Sequence, residues 1–142
     1  MSYRYFSAGK EHLDELRRAD GDALDAYFHA RIAEYNHAYR HDELVTIGLF
    51  DDISPLAPGV AFDLLPRAVE ITLKWRDGTL LDLAVSLLAN LARASRTTEM
   101  PDELQRWPQI SAAVDEWLES ELVDRRDMQI AWDSLRSHYR RA

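Results

Sequence analysis

The stretch from Thr79 to Ser95, TLLDLAVSLLANLARAS, constrains the fold more than any other part of the chain. Its large apolar residues recur on nearly every side of a helix instead of along one stripe. They are Leu80, Leu81, Leu83, Val85, Leu87, Leu88 and Leu91. Because a helix that is apolar all round must be covered on all sides, we expect this one to lie in the middle of a helical domain.

The remainder of the sequence predicts an all-α protein. The 142 residues include only five glycines and five prolines, and strand-type alternation of apolar and polar residues is scarce. A chain of this length can bury roughly 68% of its unfolded surface, so it needs no disulfide or metal to fold. We expect a single compact domain over residues 1–142, with an N-terminal arm at 1–8, six or seven helices, and a central helical hairpin at about 63–94.

Capping and breaking residues predict the helix boundaries in the first half of the chain. A first helix is expected from about Gly9 to Arg18, and Asp22 is the expected N-cap of a second. The apolar face of the second helix comprises Leu24, Phe28, Ile32, Tyr35 and Tyr39. A further helix is expected within DELVTIGLF, recapped near Asp42. Two prolines and a glycine in DDISPLAPG, residues 51–59, then predict a turn.

The hairpin and the last helices are predicted in the same way. One helix is expected from Asp63, with Pro66 in its first turn and Gly78 as C-cap. The next begins with Thr79 and Asp82 as a capping pair. The last two are expected from Pro108 or Gln109 to Asp124, and from about Arg126 to Tyr139. Their buried stripes are Ile110, Val114, Trp117, Leu118 and Leu122 in the first, and Met128, Trp132, Leu135 and Tyr139 in the second.

Composition excludes several classes of function. The chain has no cysteine, which rules out thiolate catalysis and cysteine-based zinc sites. No apolar run approaches the roughly 18 residues needed to cross a membrane, so a soluble cytoplasmic protein is expected. A formal net charge of −8 argues against direct binding of nucleic acid, which requires a basic face, but suits a basic protein partner.

Histidines supply two alternatives. Glu34, His37 and His41 follow the pattern E-x-x-H-x-x-x-H, which puts three metal-capable side chains on one side of a helix. A di-iron site in a helical bundle needs a second Glu-x-x-His, which the sequence lacks. His41-Asp42 is also the dipeptide of the metal-dependent HD phosphohydrolases.

The phosphohydrolase interpretation needs an upstream histidine and a downstream aspartate from other helices. His12 or His29, with Asp77 or Asp82, are the candidates, although most acidic helical sequences would offer such residues. The sequence has no G-x-S-x-G motif and no phosphate-binding glycine loop. We therefore expect no catalytic residues, no bound metal and no cofactor, with the phosphohydrolase as the runner-up enzyme.

The most acidic part of the chain begins at SRTTEMPDEL, residues 95–104. Residues 99–124 contain eight acidic side chains and one basic one, Arg106, for a net charge of −7. Thr97 or Thr98 is expected to cap a short helix in which Pro101 comes early and Asp102 and Glu103 face the positive end of the dipole. The local pattern is typical of a rigid connector.

Trp107 adds an aromatic residue to this acidic region. Because it stands between Arg106 and Pro108 in a connector, it is the tryptophan expected to be exposed, whereas Trp117 and Trp132 belong to apolar stripes. Glu121 is expected to pair with Arg125. The residues predicted to bind a partner are Glu99, Asp102, Glu103, Trp107, Asp115, Glu116 and Glu119.

The segment AVSLLANLARASRTTEMPDELQ, from Ala84 to Gln105, resembles a stretch of small helical bacterial immunity proteins encoded beside toxins. In that stretch a leucine-rich helix leads into a Thr-Thr-Glu-x-Pro turn. The resemblance implies a protein that is not an enzyme and that binds and neutralises a cognate toxin in the cytoplasm. A nuclease toxin with a basic groove would suit the acidic region. The alternative is a helical scaffold or regulatory module that docks onto another protein through a groove beside the central hairpin.

Overall fold

The computed structural model describes residues 10–37, 49–78, 80–120 and 125–140, except for the side chains of residues 32–37. The described residues contain helices and no strand, in the compact arrangement that the sequence predicts. Seven α-helices are present in this part of the chain. They are α1 (Leu13–Leu16), α2 (Gly21–His37), α3 (helical residues 49–53), α4 (Pro58–Lys74), α5 (Leu81–Ala94), α6 (Trp107–Leu118) and α7 (Arg125–Tyr139). Short 3₁₀ helices at Lys10–His12 and Asp102–Arg106 precede α1 and α6.

Helix α5 is the centre of the core, as its apolar circumference predicts. It packs most extensively against α4 on one side and α7 on the other. Every residue from Leu83 to Ala92 is buried, and Leu87 has no exposed surface. An unpaired charge in such a position would cost several kcal/mol, about the magnitude of burying an ion without a partner. None of the described helices is long and apolar enough to cross a membrane.

The stripes predicted for the outer helices are also buried. Ile110, Val114 and Trp117 of α6 face the core, with Leu118 at its edge. Met128, Trp132, Leu135 and Tyr139 of α7 are likewise buried. Leu24 and Phe28 of α2 are almost inaccessible, whereas the Ile32, Tyr35 and Tyr39 side chains lie outside the description, as does Leu122.

Several predicted helix starts and ends are wrong. The first helix divides into the 3₁₀ turn and α1, after which Ala19 adopts a positive φ of 59°. Asp20, not Asp22, caps α2, since its Oδ1 accepts hydrogen bonds from the backbone N–H groups of Asp22 (3.0 Å) and Ala23 (3.3 Å). The carboxylate two residues earlier in the chain therefore accepts from the free N–H groups at the start of the helix.

The central hairpin starts earlier than predicted. Helix α4 begins at Pro58, which fits the first helical turn because it has no N–H to leave unpaired, so only part of DDISPLAPG forms a turn. Pro66 consequently lies inside the helix, where it cannot donate to the Phe62 carbonyl. The helix ends at Lys74, so Gly78 is not its cap and instead donates its N–H to the Trp75 carbonyl (2.9 Å).

The boundaries of the remaining helices differ less. Thr79, predicted to cap α5, lies outside the described residues, and so does the helix start expected near Asp42. Helix α6 ends at Leu118, earlier than the Asp124 expected, with Glu119 as its C-cap. Helix α7 begins one residue before the predicted start.

Candidate functional site

The connector between α5 and α6 is held to the domain at both of its ends. At the α5 end, the Ser95 hydroxyl donates to the Ala92 carbonyl (2.6 Å), and Arg96 adopts a positive φ of 54° that turns the chain. Pro101 and Leu104 are buried on the other side. The connector is therefore anchored through apolar contacts as well as hydrogen bonds, in line with the rigid turn predicted.

Neither Thr97 nor Thr98 caps the 3₁₀ helix, contrary to the prediction. The side chain of Thr97 has another role. Its hydroxyl accepts the N–H of Glu99 (3.1 Å), which closes a local turn, and Pro101 is the residue that precedes the 3₁₀ helix. The Thr97 carbonyl lies 2.7 Å from Nε2 of His138, near the end of α7. This contact joins the connector to a helix some forty residues later in sequence.

The predicted acidic residues line the connector and the outer side of α6. Glu99 and Asp102 are exposed on the connector, where Glu103 is half-buried, and Asp115, Glu116 and Glu119 are exposed on and after α6. We call these six residues the acidic surface. Within the described part of the chain, none of their carboxylates forms an ion pair. Glu121 and Asp124 lie outside the description, and with them the expected Glu121–Arg125 pair.

The two halves of the acidic surface stand in opposite relation to the local helix dipoles. Asp102 and Glu103 occupy the first turn of the 3₁₀ helix, where negative charge is favourable. Asp115 and Glu116 occupy the last turn of α6 and Glu119 its C-cap, and that turn contains no basic residue. Carboxylates at the negative end of a helix destabilise it, so these three charges are not there to support the helix.

Trp107 is not exposed, contrary to the prediction. It is 8% accessible and stacks on Trp132, with ring centroids 5.0 Å apart, while Tyr139 meets its edge at 6.3 Å. Both partners come from α7, so this burial depends on contacts between distant parts of the sequence. The structure therefore separates Trp107 from the carboxylates with which it was grouped.

A groove lies between α5 and α7, and none of the residues predicted to bind a partner lines it. Its floor is formed by small or polar side chains, Ser86, Ala89 and Asn90 of α5 and Ala131 and Ser134 of α7. The cavity measures about 250 Å³. Phe50 of α3 and Ile130 of α7 stand at its rim, 49% and 63% exposed. Among the described residues they are the two large apolar side chains that are exposed.

The ends of this groove differ in charge. Arg93 lies at one end, where its guanidinium is 5.7 Å from the centre of the Phe50 ring and donates to the Asn90 side chain (2.6 Å). Asp82 and Asp127, each in the first turn of its helix, line the groove as well. The groove thus has small, polar and apolar side chains along its floor, Leu83 among them, two large apolar residues at its rim and charged residues at its ends.

Sequence offered one signal for the groove. Ile130 falls two residues from both Met128 and Trp132, so it lies off the buried stripe of α7. A large apolar residue off the stripe predicts an exposed apolar site on that helix. Phe50 has no comparable sequence signal, because the five described residues of α3 are too few to define a buried stripe.

A buried charge network joins α2 to α3. The Asp52 carboxylate accepts hydrogen bonds from the Tyr27 hydroxyl (2.8 Å), from the Arg31 guanidinium, and from the Lys10 ammonium (3.2 Å). Arg31 and Tyr27 have no exposed surface. Burial raises the pKa of the Tyr27 hydroxyl well above its usual value, so this group remains a donor. The network is fully enclosed on the Arg31 side and acts as a structural link.

The proposed metal and phosphohydrolase residues fall largely outside the description. This applies to the Glu34 and His37 side chains and to His41 and Asp42. Of the alternatives, His29 lies against the Trp75 ring (6.1 Å) and His12 lies 3.6 Å from Glu11. Within the described residues, no three His, Asp or Glu side chains converge as metal ligands.

In the described part of the chain the conspicuous features are an unpaired acidic surface and a separate groove with apolar rims. Comparisons with protein-family models, with characterised proteins and with solved structures found no match for this chain.

Proposed function

We propose that the protein binds a basic face of another protein through the acidic surface, and that the partner is a cognate bacterial toxin which it neutralises in the cytoplasm. One observation carries this proposal. The carboxylates of the acidic surface are unpaired in the described part of the chain, and three of them sit at the end of α6, where they lower its stability. Charge kept at a cost to the fold is typical of a binding surface.

The charge pattern also fits the chemistry of one class of toxin. A nuclease binds the phosphates of its substrate in a basic groove, and a row of carboxylates on a rigid support can occupy the same groove. Association steered by such charges is fast and weakens with salt. The anchored connector supports this idea, because a surface that is already ordered loses little conformational entropy on binding.

The resemblance of residues 84–105 to immunity proteins favours the same function, since it ends within the acidic surface. Trp107 contributes differently from what its sequence position suggests. Being stacked between α6 and α7, it holds the acidic surface in place instead of projecting into a partner. The proposal consequently rests on the carboxylates.

Co-expression with the product of the neighbouring upstream gene tests the proposal. The two proteins should co-purify, and the wild-type chain should restore growth of cells that express that product. Replacing Asp115, Glu116 and Glu119 together by Lys should slow association at least tenfold at low salt and flatten its dependence on salt, as expected for steering charges.

The matched control places the same change in charge elsewhere. Asp51, Asp63 and Asp77 are exposed and lie outside the acidic surface, and their replacement by Lys should slow association much less. Failure of the wild-type chain to bind or to protect would refute the neutralising function. Equal effects of the two triple variants would show instead that net charge, not this surface, directs the encounter.

A further inference from the structure

The groove between α5 and α7 combines features that the proposed function does not use. Phe50 and Ile130 come from different helices, yet both line this groove, and no other large apolar side chain in the described residues is exposed. Two large apolar side chains exposed beside a cavity form an apolar patch. Exposed apolar patches mark interaction sites on soluble proteins. The acidic surface, by contrast, is made of charged residues on the connector and α6.

The length of the groove matches a helix of about three turns. Asp82 and Arg93 lie at opposite ends of one face of α5, about 16 Å apart at 1.5 Å per residue, which corresponds to about three helical turns. Small side chains along the floor, Ala89 and Ala131 among them, let the backbone of an occupant approach closely. Recognition of a helix in a groove uses two or three anchors at i, i+3 or i+4, and i+7.

The direction of the groove follows from the contacts at its ends. His138, near the end of α7, reaches the Thr97 carbonyl just beyond α5, so the carboxyl ends of the two helices lie at the same end of the molecule. Arg93 belongs to that end and has no carboxylate partner among the described residues. Asp82 and Asp127 mark the amino ends.

Arg93 selects one orientation of the occupant. In most helices acidic residues are favourable in the first turn and basic residues in the last. A helix of that kind, lying antiparallel to α5 and α7, brings its acidic first turn to Arg93. Its dipole is then also opposed to the two dipoles of the floor.

We propose that the groove between α5 and α7 is a second binding site, which takes an amphipathic α-helix of a partner protein antiparallel to both helices. The anchors of that helix pack against Phe50 and Ile130, and an acidic residue of its first turn pairs with Arg93. This site does not depend on the acidic surface, so either proposal can fail while the other stands.

A designed peptide tests the site without knowledge of the natural partner. The probe is a fluorescein-labelled peptide of about four turns, with glutamates in the first turn, leucines at i, i+3 and i+7, and lysines in the last turn. A second peptide exchanges the glutamates and lysines. A hydrocarbon staple on the solvent face keeps both helical, so that fluorescence anisotropy compares their charge order alone. The first peptide should bind at least about fivefold more tightly.

Two adjacent residues of α7 provide the matched variants. Ile130→Glu and Gln129→Glu each add one negative charge at an exposed position, but only Ile130 lines the groove. Ile130→Glu should weaken binding of the first peptide about tenfold or more, and Gln129→Glu less than about twofold. Phe50→Ser should reproduce the loss, and Arg93→Gln should reduce the preference for the first peptide over the second.

Three results would overturn the proposal. The first is no binding of either peptide up to about 1 mM, a concentration at which even weak helix docking is measurable. The second is equal binding by wild type and Ile130→Glu, with both shown to be folded by circular dichroism. The third is sedimentation of the free protein as a dimer that Ile130→Glu dissociates, which would assign the groove to a second copy of the chain.

Discussion

The buried charges between α2 and α3 have partners within the protein, whereas the charges of the acidic surface do not among the described residues. Asp52 is buried and accepts hydrogen bonds from Tyr27, Arg31 and Lys10. The carboxylates of the acidic surface are exposed, with one half-buried exception, and unpaired within the described residues. The buried group is committed to the fold, because the Asp52 carboxylate would destabilise the protein if it lost its partners. The acidic surface remains available to another molecule.

The largest effect should come from breaking the buried group. Arg31→Ala leaves the Asp52 carboxylate in the interior without its main partner and should lower the free energy of unfolding by about 3–5 kcal/mol. Denaturation in urea measures this loss. Arg17→Ala is the control, since the ion pair of Arg17 with Asp14 is exposed and contributes less than about 1 kcal/mol. Equal losses for the two variants would contradict the difference between buried and exposed charges.

A smaller effect, of opposite sign, is expected on the acidic surface. In the isolated protein, replacement of Asp115, Glu116 and Glu119 by Lys should raise Tm by about 3–6 °C, because positive charges suit the negative end of α6. Thermal melts followed by circular dichroism at low and high salt measure the gain, which salt should reduce. Asp102→Lys, at the start of the 3₁₀ helix, should give no gain. A triple variant that melts no higher than wild type would remove the argument that these charges oppose folding.

The smallest effect on stability is expected at Tyr139. Its hydroxyl is a third kind of polar group, buried and without a hydrogen-bond partner among the described residues. Tyr139→Phe should therefore be neutral or stabilise by less than about 1 kcal/mol. Burial raises the pKa of this hydroxyl to about 12 from 10.0. A loss above about 1 kcal/mol at neutral pH would reveal a missing partner.

The free energy of unfolding measured above pH 10 provides a second test of Tyr139. Below pH 10 the hydroxyl is protonated in both states and has no effect. Between pH 10 and about 12 the unfolded chain releases this proton and the folded chain keeps it, so wild-type stability falls as pH rises. Tyr139→Phe should lose less stability over that interval, whereas an unchanged slope would place the titration elsewhere.

The periodicity of apolar residues predicted the helices that bury one face. It also predicted α5, which is buried around its whole circumference. The signal is local, because residues three and four apart share a face whatever the rest of the chain does. Local sequence rules predicted the wrong helix start where a segment fits both a turn and a helix, or where two residues could cap the same helix. Pro58 and Gly59 resemble a turn but begin α4, and Asp20 rather than Asp22 reaches the free N–H groups of α2.

Long-range contacts account for the errors at the candidate sites. Trp107 is flanked by Arg106 and Pro108, which suggests a surface position, but its burial comes from Trp132 and Tyr139. The exposure of the acidic carboxylates could be predicted, since they avoid the stripe of α6. A docking groove beside the central hairpin belonged to the alternative function, but its lining could not be predicted, because it needs α3, α5 and α7 together. Ile130 is the one lining residue with a local sequence signal.

The position of α7 in the chain also bears on how the molecule is made. The pairing of α4 with α5 closes a short loop, whereas α7 reaches α5 only across residues 95–124. Since the entropy cost of closing a loop grows with its length, we expect the hairpin to form before α7 docks. During synthesis one apolar side of α5 therefore stays uncovered until α7 has left the ribosome. The groove forms only when α7 docks, so no partner helix can bind it on a nascent chain that lacks α7.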